Sequence, residues 1–363
     1  MRYKLRIKKS LKNFDSYVPD EIDYLFRLNA NESPFNETEK ILTNFFEKKN
    51  QKYLKANSIN RYPDPIQKDL RKKVSSFHQV NSNQIVFGNG SDELILYLLL
   101  TLTGKSSKVM YLEPSFSMYK ILTAATGLKG IEVELDSNFQ INITNMILKI
   151  KKEDPDLIFI PTPNNPTGNS FDTDDVKTII ETAKGVVVID EAYADYSSYS
   201  YLPLIKKNKN LLIMRTMSKI GFASLRLGYI IGDKRIINEI NKIRLPYNIS
   251  TLSQIIATDY FINYKSMQKN IQIIKKERLK LTNFLGKFSQ IKTFKSDSNF
   301  ILFKMKKSRS LDNFLRKKNI IIRNFSSNKR LQNCIRLTVG LPSENKKLIS
   351  AVAEFMKKYN KKN

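Results

Sequence analysis

Residues 186–193 read Val-Val-Val-Ile-Asp-Glu-Ala-Tyr, an unbroken run of four β-branched residues followed by two carboxylates. Because no polar residue alternates with the apolar ones, the run predicts a central strand that is buried on both faces, as in parallel sheets. Ligands in open α/β sheets bind beyond the carboxyl ends of the strands. The stretch therefore predicts an α/β fold and marks Asp190, at the end of the strand, as a candidate functional residue.

A second candidate strand ends in a lysine. Residues 214–219 read Met-Arg-Thr-Met-Ser-Lys, so that Lys219 follows Asp190 by 29 residues, and residues 225–229 then read Leu-Arg-Leu-Gly-Tyr. A single lysine in so basic a chain would ordinarily be a solvated surface group. Lys219 stands out because it follows a predicted buried strand and shares the predicted carboxyl edge of the sheet with Asp190 and Arg226.

Short β-branched runs alternate with segments of helical periodicity over the first two thirds of the chain. Helical spacing is clearest in Ser91–Thr103 and Thr173–Ala183. This alternation predicts a largely parallel sheet that is covered by helices on both faces. The seven candidate strands are Gln84–Phe87, Lys108–Leu112, Gly130–Leu135, Leu157–Pro161, Val186–Asp190, Leu211–Arg215 and Leu227–Ile231.

The pattern changes near Pro246. From Ser250 to about Phe288 apolar residues recur at helical spacing, which predicts long helices. Short strands then precede a last helix, which begins at Ser343. These candidate strands are Phe300–Lys304, Ile320–Arg323 and Ile335–Val339. We therefore expect an N-terminal arm over residues 1–30, a large domain over residues 31–248 and a smaller α+β domain over residues 249–363.

The chain is strongly basic, with 62 lysines and arginines against 34 acidic residues and a net charge of +28. Such a balance can indicate nucleic-acid binding. The basic residues, however, are mostly lysines spread along the whole sequence, without a dense arginine stripe. We therefore expect no specific nucleic-acid partner, and a positive field that attracts phosphorylated substrates weakly.

Several classes of site and location are disfavoured. The one cysteine, Cys334, cannot form an internal disulfide, which favours a reducing compartment. The one histidine, His78, leaves no His-rich metal site and is expected to be a hydrogen-bonded surface residue. The N-terminus lacks an apolar signal region, and the longest apolar run is far shorter than a membrane span. We expect a soluble, cytoplasmic protein with no metal ion and no membrane contact.

The candidate residues match the groups that pyridoxal 5'-phosphate (PLP) chemistry requires. PLP takes up the electrons of a carbanion, and a carboxylate such as Asp190 assists by keeping the pyridine nitrogen protonated. An amine such as Lys219 forms a Schiff base with the cofactor and later moves a proton. Tyr193, or an asparagine, suits the phenolic oxygen, while Arg226 and the turn at Ser91-Asp92 suit the phosphate.

Further motifs from the arm to the C-terminal domain complete a resemblance. The sequence resembles the class I/II, fold-type I PLP-dependent aminotransferases, and within this family it is most similar to the histidinol-phosphate group. The motifs beyond those already quoted are Leu28-Asn29-Ala30-Asn31-Glu32-Ser33-Pro34, Arg61-Tyr62-Pro63, Gly88-Asn89-Gly90-Ser91-Asp92-Glu93, Pro114-Ser115-Phe116, Pro163-Asn164-Asn165-Pro166-Thr167-Gly168 and Cys334-Ile335-Arg336-Leu337-Thr338-Val339-Gly340. Asn29 and Asn31 receive no role, and either could cap a turn.

The resemblance implies a full set of cofactor ligands. Lys219, Asp190 and Tyr193 would be the catalytic residues. Phe116 would stack on the pyridine ring, and Asn165 would bind the phenolic oxygen together with Tyr193. The residues that would hold the phosphate are Ser91, Asp92, Ser218 and Arg226.

The resemblance also implies substrate ligands and a partner. Tyr62 would reach the cofactor phosphate of a neighbouring subunit, which implies a homodimer with shared sites. Arg336 would bind the α-carboxylate of the substrate through two hydrogen bonds, and Arg323 would bind a distal phosphate. Tyr17 would lie in an arm segment that closes over the substrate, and Asn165 would also face the substrate.

The activity that the resemblance implies is transamination in histidine biosynthesis. Histidinol phosphate and 2-oxoglutarate would give imidazole acetol phosphate and glutamate. An aromatic or other amino-acid aminotransferase and a threonine-phosphate decarboxylase stay open as alternatives, because one scaffold serves several reactions. A basic nucleic-acid-binding protein is the alternative from a different class.

Overall fold

Two β-sheets, one of seven strands and one of five, organise the protein. The structure is a computed structural model, and it describes residues 24–36, 60–104, 106–326 and 328–360 together with Lys8, Ser10 and Thr43. In chain order the strands are β1 (Phe26–Leu28), β2 (Ile85–Asn89), β3 (Lys108–Glu113), β4 (Lys129–Glu134), β5 (Leu157–Pro161), β6 (Val186–Asp190), β7 (Leu211–Thr216), β8 (Leu227–Ile231), β9 (Lys292–Thr293), β10 (Phe300–Lys304), β11 (Ile320–Asn324) and β12 (Cys334–Thr338).

Ten α-helices are described over the same ranges. They are α1 (Lys68–His78), α2 (Ser91–Thr101), α3 (Ser117–Thr126), α4 (Ile143–Glu153), α5 (Thr173–Thr182), α6 (Lys234–Ile243), α7 (Thr251–Ile262), α8 (Tyr264–Leu285), α9 (Ser308–Arg316) and α10 (Pro342–Asn360). No helix among the described residues is long and apolar enough to cross a membrane.

The larger sheet has the strand order β2-β8-β7-β6-β5-β3-β4. Its neighbours from β7 to β4 are parallel, whereas β8 runs antiparallel to both β7 and β2. All seven candidate strands of this sheet are confirmed to within two residues at each end. The expectation of a largely parallel α/β sheet is also confirmed.

Strand β6 explains why this sheet needs helices on both faces. Val187 and Ile189 pack into one apolar core with residues of α1, α4 and α5, while Val188 packs into another with residues of α2, α3 and α6. Consecutive side chains of a strand point to opposite faces, so an unbroken apolar run buries both faces. As a result, only the strand ends can carry polar chemistry.

The smaller sheet has the order β1-β11-β12-β10-β9. Its core contains side chains of α8, including Ile271 and Ile274, and side chains of α10, including Leu348. Strand β1 lies inside the segment that was expected to be an arm, yet it pairs in parallel with β11. The three residues of β1 are therefore a fixed part of the smaller sheet.

His78 is hydrogen-bonded, as expected, but it is not the surface residue that the sequence predicted. The ring is half-buried, and its Nε2 atom lies 2.9 Å from the hydroxyl oxygen of Tyr229. Burial, with a smaller effect from the charge of Arg215, lowers the pKa of His78 to about 3. The residue lies at the last position of α1, and the periodicity of a helix alone did not show that Tyr229 would face it.

Candidate active site

Two adjoining cavities lie at the carboxyl edge of the larger sheet. The inner cavity has a volume of about 100 Å³ and the outer cavity a volume of about 760 Å³. Their shared lining residues are Phe116, Asn165, Tyr193 and Lys219. The carboxyl ends of the larger sheet's strands border the inner cavity, and residues from both sheets line the outer cavity.

The inner cavity brings together nine residues that the sequence singled out as cofactor ligands. They are Ser91, Asp92, Phe116, Asn165, Asp190, Tyr193, Ser218, Lys219 and Arg226. These residues come from the start of α2, the start of α3 and the segments that follow β5, β6 and β7. Their convergence follows from the parallel strands, whose carboxyl ends meet at one edge.

Asp190 is the buried carboxylate of this cavity. Its Oδ2 atom accepts a hydrogen bond of 2.6 Å from the hydroxyl of Tyr119, and its Oδ1 atom accepts one of 3.0 Å from the amide of Ala192. Burial raises the pKa of Asp190 to about 6, although both hydrogen bonds act in the opposite direction. The next residue, Glu191, turns away and forms an ion pair with Arg215 at 2.6 Å.

Tyr119 also lines the inner cavity, and no motif in the sequence marked it. It lies in the first turn of α3, three positions after Phe116, and it is fully buried. Its ring stacks on Phe159 at 4.8 Å and meets Phe116 edge-on at 5.7 Å. Residues three apart lie on one face of a helix. The signal was therefore present in the pair of aromatic residues, but only the fold shows that Asp190 lies opposite.

Lys219 lines both cavities. Burial, followed by the positive charge of Arg336, lowers the pKa of its amine to about 8. The hydroxyl of Tyr196 donates a hydrogen bond of 2.7 Å to the main-chain oxygen of Lys219, which fixes this part of the loop. An amine with a lowered pKa is a good nucleophile and a good proton acceptor.

The start of α2 and the loop before β8 form a site suited to an anion. Ser91 is the first residue of α2, and helix N-termini present free amides to anions. Arg226 adopts a left-handed conformation with φ 48°, and its Nη2 atom donates to Oδ2 of Asp92 at 3.2 Å. Gly90, before Ser91, has a φ of 83°, which a residue with a side chain adopts only with strain, and a Cβ there would also lie 2.6 Å from this Nη2 atom.

The outer cavity contains the two predicted substrate arginines. Arg323 on β11 is directly opposite Arg336 on β12, with the two strands antiparallel. The Nη1 atom of Arg336 donates to Oδ1 of Asn165 at 2.6 Å, and Nη2 donates to the main-chain oxygen of Asn29 at 2.7 Å. Like charges directly opposite each other destabilise a strand pair. The arrangement therefore favours an anionic ligand.

One predicted residue among the described ones, Tyr62, does not line these cavities. Tyr62 is 80% exposed, and its ring stacks on Tyr247 with a centroid distance of 4.5 Å. Tyr17 lies outside the described residues, so its predicted place over the substrate stays a prediction. Tyr62 was expected to reach the cofactor phosphate of a neighbouring subunit, and this role also stays a prediction.

Comparison with known proteins identifies the family. The family model for aminotransferase class I and II matches residues 24–352. The chain belongs to the class I and II aminotransferases. Among curated relatives, the histidinol-phosphate aminotransferase of Vesicomyosocius okutanii is 38% identical over 351 residues, which cover 96% of this chain and 97% of the relative. That of Aquifex aeolicus is 36% identical over 354 residues, covering 97% and 98%.

Solved structures show the same fold as this aminotransferase. The histidinol-phosphate aminotransferase from Clostridium acetobutylicum has a TM-score of 0.81 at 26% identity and covers 90% of this chain and 98% of its own. That from Sinorhizobium meliloti, in complex with pyridoxal-5'-phosphate, has a TM-score of 0.86 at 19% identity and covers 98% and 99%. The expected fold-type I architecture is thus confirmed.

The inner cavity of the aminotransferase fits PLP. It contains a buried carboxylate in Asp190 and, in the partly buried Lys219, an amine of lowered pKa. It also has a helix start and a guanidinium, from Arg226, for a phosphate group. A cation beside Asp190, such as a protonated pyridine nitrogen, would compensate the cost of burying this carboxylate.

Removal of the Tyr119 hydroxyl is expected to weaken PLP binding, and most strongly at acidic pH. In Tyr119→Phe the pKa of Asp190 should rise, because the hydrogen bond that lowers it is lost. The ionised carboxylate is present only above this pKa, so the acid limb of PLP affinity should move to higher pH. We expect a loss of about tenfold in affinity near pH 7, as is typical for a hydrogen bond to a charged group.

The measurement is a titration of the apoenzyme with PLP at a series of pH values. Tyr97→Phe is the matched control, because Tyr97 is also buried but its oxygen accepts from the Leu245 amide, away from the cavities. An unchanged acid limb in Tyr119→Phe would show that Tyr119 does not control the ionisation of Asp190.

Proposed function

We propose that this aminotransferase transfers the amino group of histidinol phosphate to 2-oxoglutarate, with PLP as its cofactor. The observation that carries the proposal is that Lys219 and Asp190 line one cavity, which adjoins an outer cavity whose lining includes Arg323 and Arg336. Curated relatives that are 34–38% identical over about the whole chain bear the name histidinol-phosphate aminotransferase. The products would be imidazole acetol phosphate and glutamate, as in histidine biosynthesis.

The residues of the inner cavity would hold the cofactor by its separate groups. Asp190 would pair with the pyridine nitrogen, and Phe116 would cover the ring. Asn165 and Tyr193 would bind the phenolic oxygen. Ser91, Asp92, Ser218 and Arg226 would hold the phosphate. When bound, PLP withdraws electrons from the substrate and so makes the proton on Cα acidic.

Lys219 would have two consecutive tasks. Its Nζ atom would first carry the cofactor and would then be released when the substrate amine takes its place. The free amine would accept the proton from Cα of the substrate and return it on the side of the cofactor. With a pKa of about 8, a useful fraction of this amine is neutral near physiological pH. An ordinary lysine, whose pKa is 10.5, would be almost fully protonated there.

The two arginines would recognise the anionic groups of the two substrates. Histidinol phosphate has a phosphate and no carboxylate, whereas glutamate has two carboxylates. We assign Arg323 to the distal phosphate and Arg336 to the α-carboxylate of glutamate, with a second duty on the phosphate. A guanidinium can bind either anion through two parallel hydrogen bonds.

A second copy of the chain would complete each site. Tyr62 belongs to a set of exposed apolar residues with Ile66, Leu245, Tyr247 and Leu252. Arg244, just before Leu245, donates a hydrogen bond of 2.8 Å to the main-chain oxygen of Pro65, so the two segments lie together. An exposed apolar patch of this kind is typical of an interface. A symmetric dimer would bury the patch and bring Tyr62 towards the phosphate site of the partner subunit.

Loss of Arg323 should harm phosphorylated substrates selectively. For Arg323→Ala we expect KM for histidinol phosphate to rise about ten- to a hundredfold, because a charge-assisted contact is worth roughly 1.5–3 kcal/mol. KM for an unphosphorylated amino acid should change much less. Steady-state kinetics with both substrates provide the comparison, and Arg309→Ala, an exposed arginine of α9, is the control.

An equal loss for both substrates would assign Arg323 to the carboxylate or to the structure. If the unaltered enzyme preferred phenylalanine or tyrosine to histidinol phosphate, the aromatic-aminotransferase alternative would replace the proposed substrate. Decarboxylation of threonine phosphate is checked in the same panel.

Sites shared between subunits predict complementation. Lys219→Ala subunits should be inactive, and Tyr62→Phe subunits impaired. In a mixed dimer one site receives an intact Lys219 from one subunit and an intact Tyr62 from the other. Random exchange should therefore restore about a quarter of normal activity, since half of the dimers are mixed and each has one complete site. Activity no higher than the mean of the two parents, or a fully active monomer, would refute the shared site.

A further inference from the structure

Asn31 is buried between the two sheets, and four hydrogen bonds hold it there. It is 1% exposed and adopts a left-handed conformation with φ 55°. Its amide N–H donates to Oγ1 of Thr338 at 3.0 Å, and its main-chain oxygen accepts from Nδ2 of Asn299 at 3.0 Å. Its side chain bonds to Thr338 at 3.2 Å and to the hydroxyl oxygen of Tyr193 at 2.9 Å.

The hydroxyl of Thr338 sets the orientation of the Asn31 amide. A threonine hydroxyl has one proton to donate and lone pairs that accept. Because Oγ1 of Thr338 accepts from the main chain of Asn31, its proton is available for Oδ1 of Asn31. In the reverse orientation Nδ2 would face the threonine oxygen, and the threonine proton would lose this acceptor. The Nδ2 atom of Asn31 is therefore the one that faces Tyr193.

This orientation determines where the proton of Tyr193 points. The phenol oxygen accepts from Nδ2 of Asn31, so its own proton must point elsewhere. Among the described residues the structure shows no acceptor for this proton. Tyr193 is 4% exposed and lines the inner cavity beside Lys219 and Asn165. The open direction for the proton is thus the cavity itself.

We propose that Asn31 is a positioning residue that directs the phenol proton of Tyr193 into the inner cavity, towards the phenolic oxygen of the cofactor. The inference rests on the proposed role of Tyr193 and extends it to a residue of the N-terminal segment. Two residues of the smaller domain keep Asn31 in place: Thr338 at the end of β12, and Asn299 just before β10. The smaller sheet would in this way control a hydrogen bond at the cofactor.

The consequence concerns the pKa of the nitrogen that links Lys219 to PLP. A phenol that accepts one hydrogen bond becomes a better donor of its own proton. Donation to the negatively charged phenolic oxygen weakens the attraction of this oxygen for the neighbouring nitrogen-bound proton. Asn31, acting through Tyr193, would therefore lower the pKa of the linkage.

Asn31→Asp tests the proposal because it keeps the shape and reverses the polarity. A carboxylate at position 31 accepts the phenol proton and draws it away from the cavity. The pH titration of the holoenzyme's visible absorbance reports the pKa of the linkage. We expect this pKa to rise by about 0.5–1 unit, the equivalent of one net hydrogen bond. Tyr193→Phe should shift it in the same direction.

A double variant separates positioning from a direct effect of the new charge. If Asn31 acts through Tyr193, Asn31→Asp should add nothing in a Tyr193→Phe background. Asn31→Gly is a second, uncharged variant, since glycine adopts a positive φ without strain; it removes the amide donor to Tyr193 together with the acceptor for Thr338. It should raise the pKa of the linkage by a smaller amount.

Asn210→Asp is the control for general destabilisation. Asn210 lies just before β7, far from the cavities, and its Nδ2 atom donates to the main-chain oxygens of Ile180, Ala183 and Gly185. This variant should lower Tm without moving the absorbance titration. The proposal is overturned if Asn31→Asp and Asn31→Gly leave the titration unchanged while Tyr193→Phe shifts it. It is also overturned if Asn31→Asp shifts it fully without Tyr193. If Tyr193→Phe itself has no effect, the proposed role of Tyr193 fails together with it.

Discussion

A buried carboxylate at the end of β6 is the constraint on which the rest of the site depends. Asp190 is buried away from water, and two neutral groups, the hydroxyl of Tyr119 and the amide of Ala192, donate hydrogen bonds to it. Burial raises its pKa to about 6. An isolated charge in such a place is costly, and a cation beside it would be strongly favoured. The fold thus maintains a carboxylate that is suited to a positively charged ring nitrogen. Lys219 provides the complementary case, an amine that burial makes easier to deprotonate.

The two sheets provide different residues to this site. The larger sheet supplies rigid positions, because its parallel strands end at one edge and α2 begins there. The smaller sheet supplies groups that reach across to them. Arg336 of β12 bonds to Asn165, and Thr338 of the same strand holds Asn31 against Tyr193. Recognition of the substrate and tuning of the cofactor would therefore depend on how the two sheets meet.

The sequence predicted what lies along the chain, and it missed what depends on contacts across it. Strand β6 was recognisable from its apolar run, and Asp190 and Lys219 from their places after strands. Tyr119 was missed because its importance depends on a hydrogen bond to Asp190, which is 71 residues away along the chain. Strand β1 was missed because a three-residue strand has little pattern of its own, and its partner β11 is almost 300 residues distant. The hydrogen bond between His78 and Tyr229 likewise joins residues far apart in the sequence, so it could not be predicted from local pattern.

The most direct test of the account is to find which side chain carries the cofactor. Borohydride reduction of the PLP-loaded enzyme converts the Schiff base into a stable secondary amine, and peptide mapping then locates it. Among the described residues, Lys219 is the lysine that lines the inner cavity together with Asp190. We expect one modified peptide, with the cofactor on Lys219 in stoichiometric amount. A label on another lysine, or loss of the visible absorbance without any label, would contradict the account.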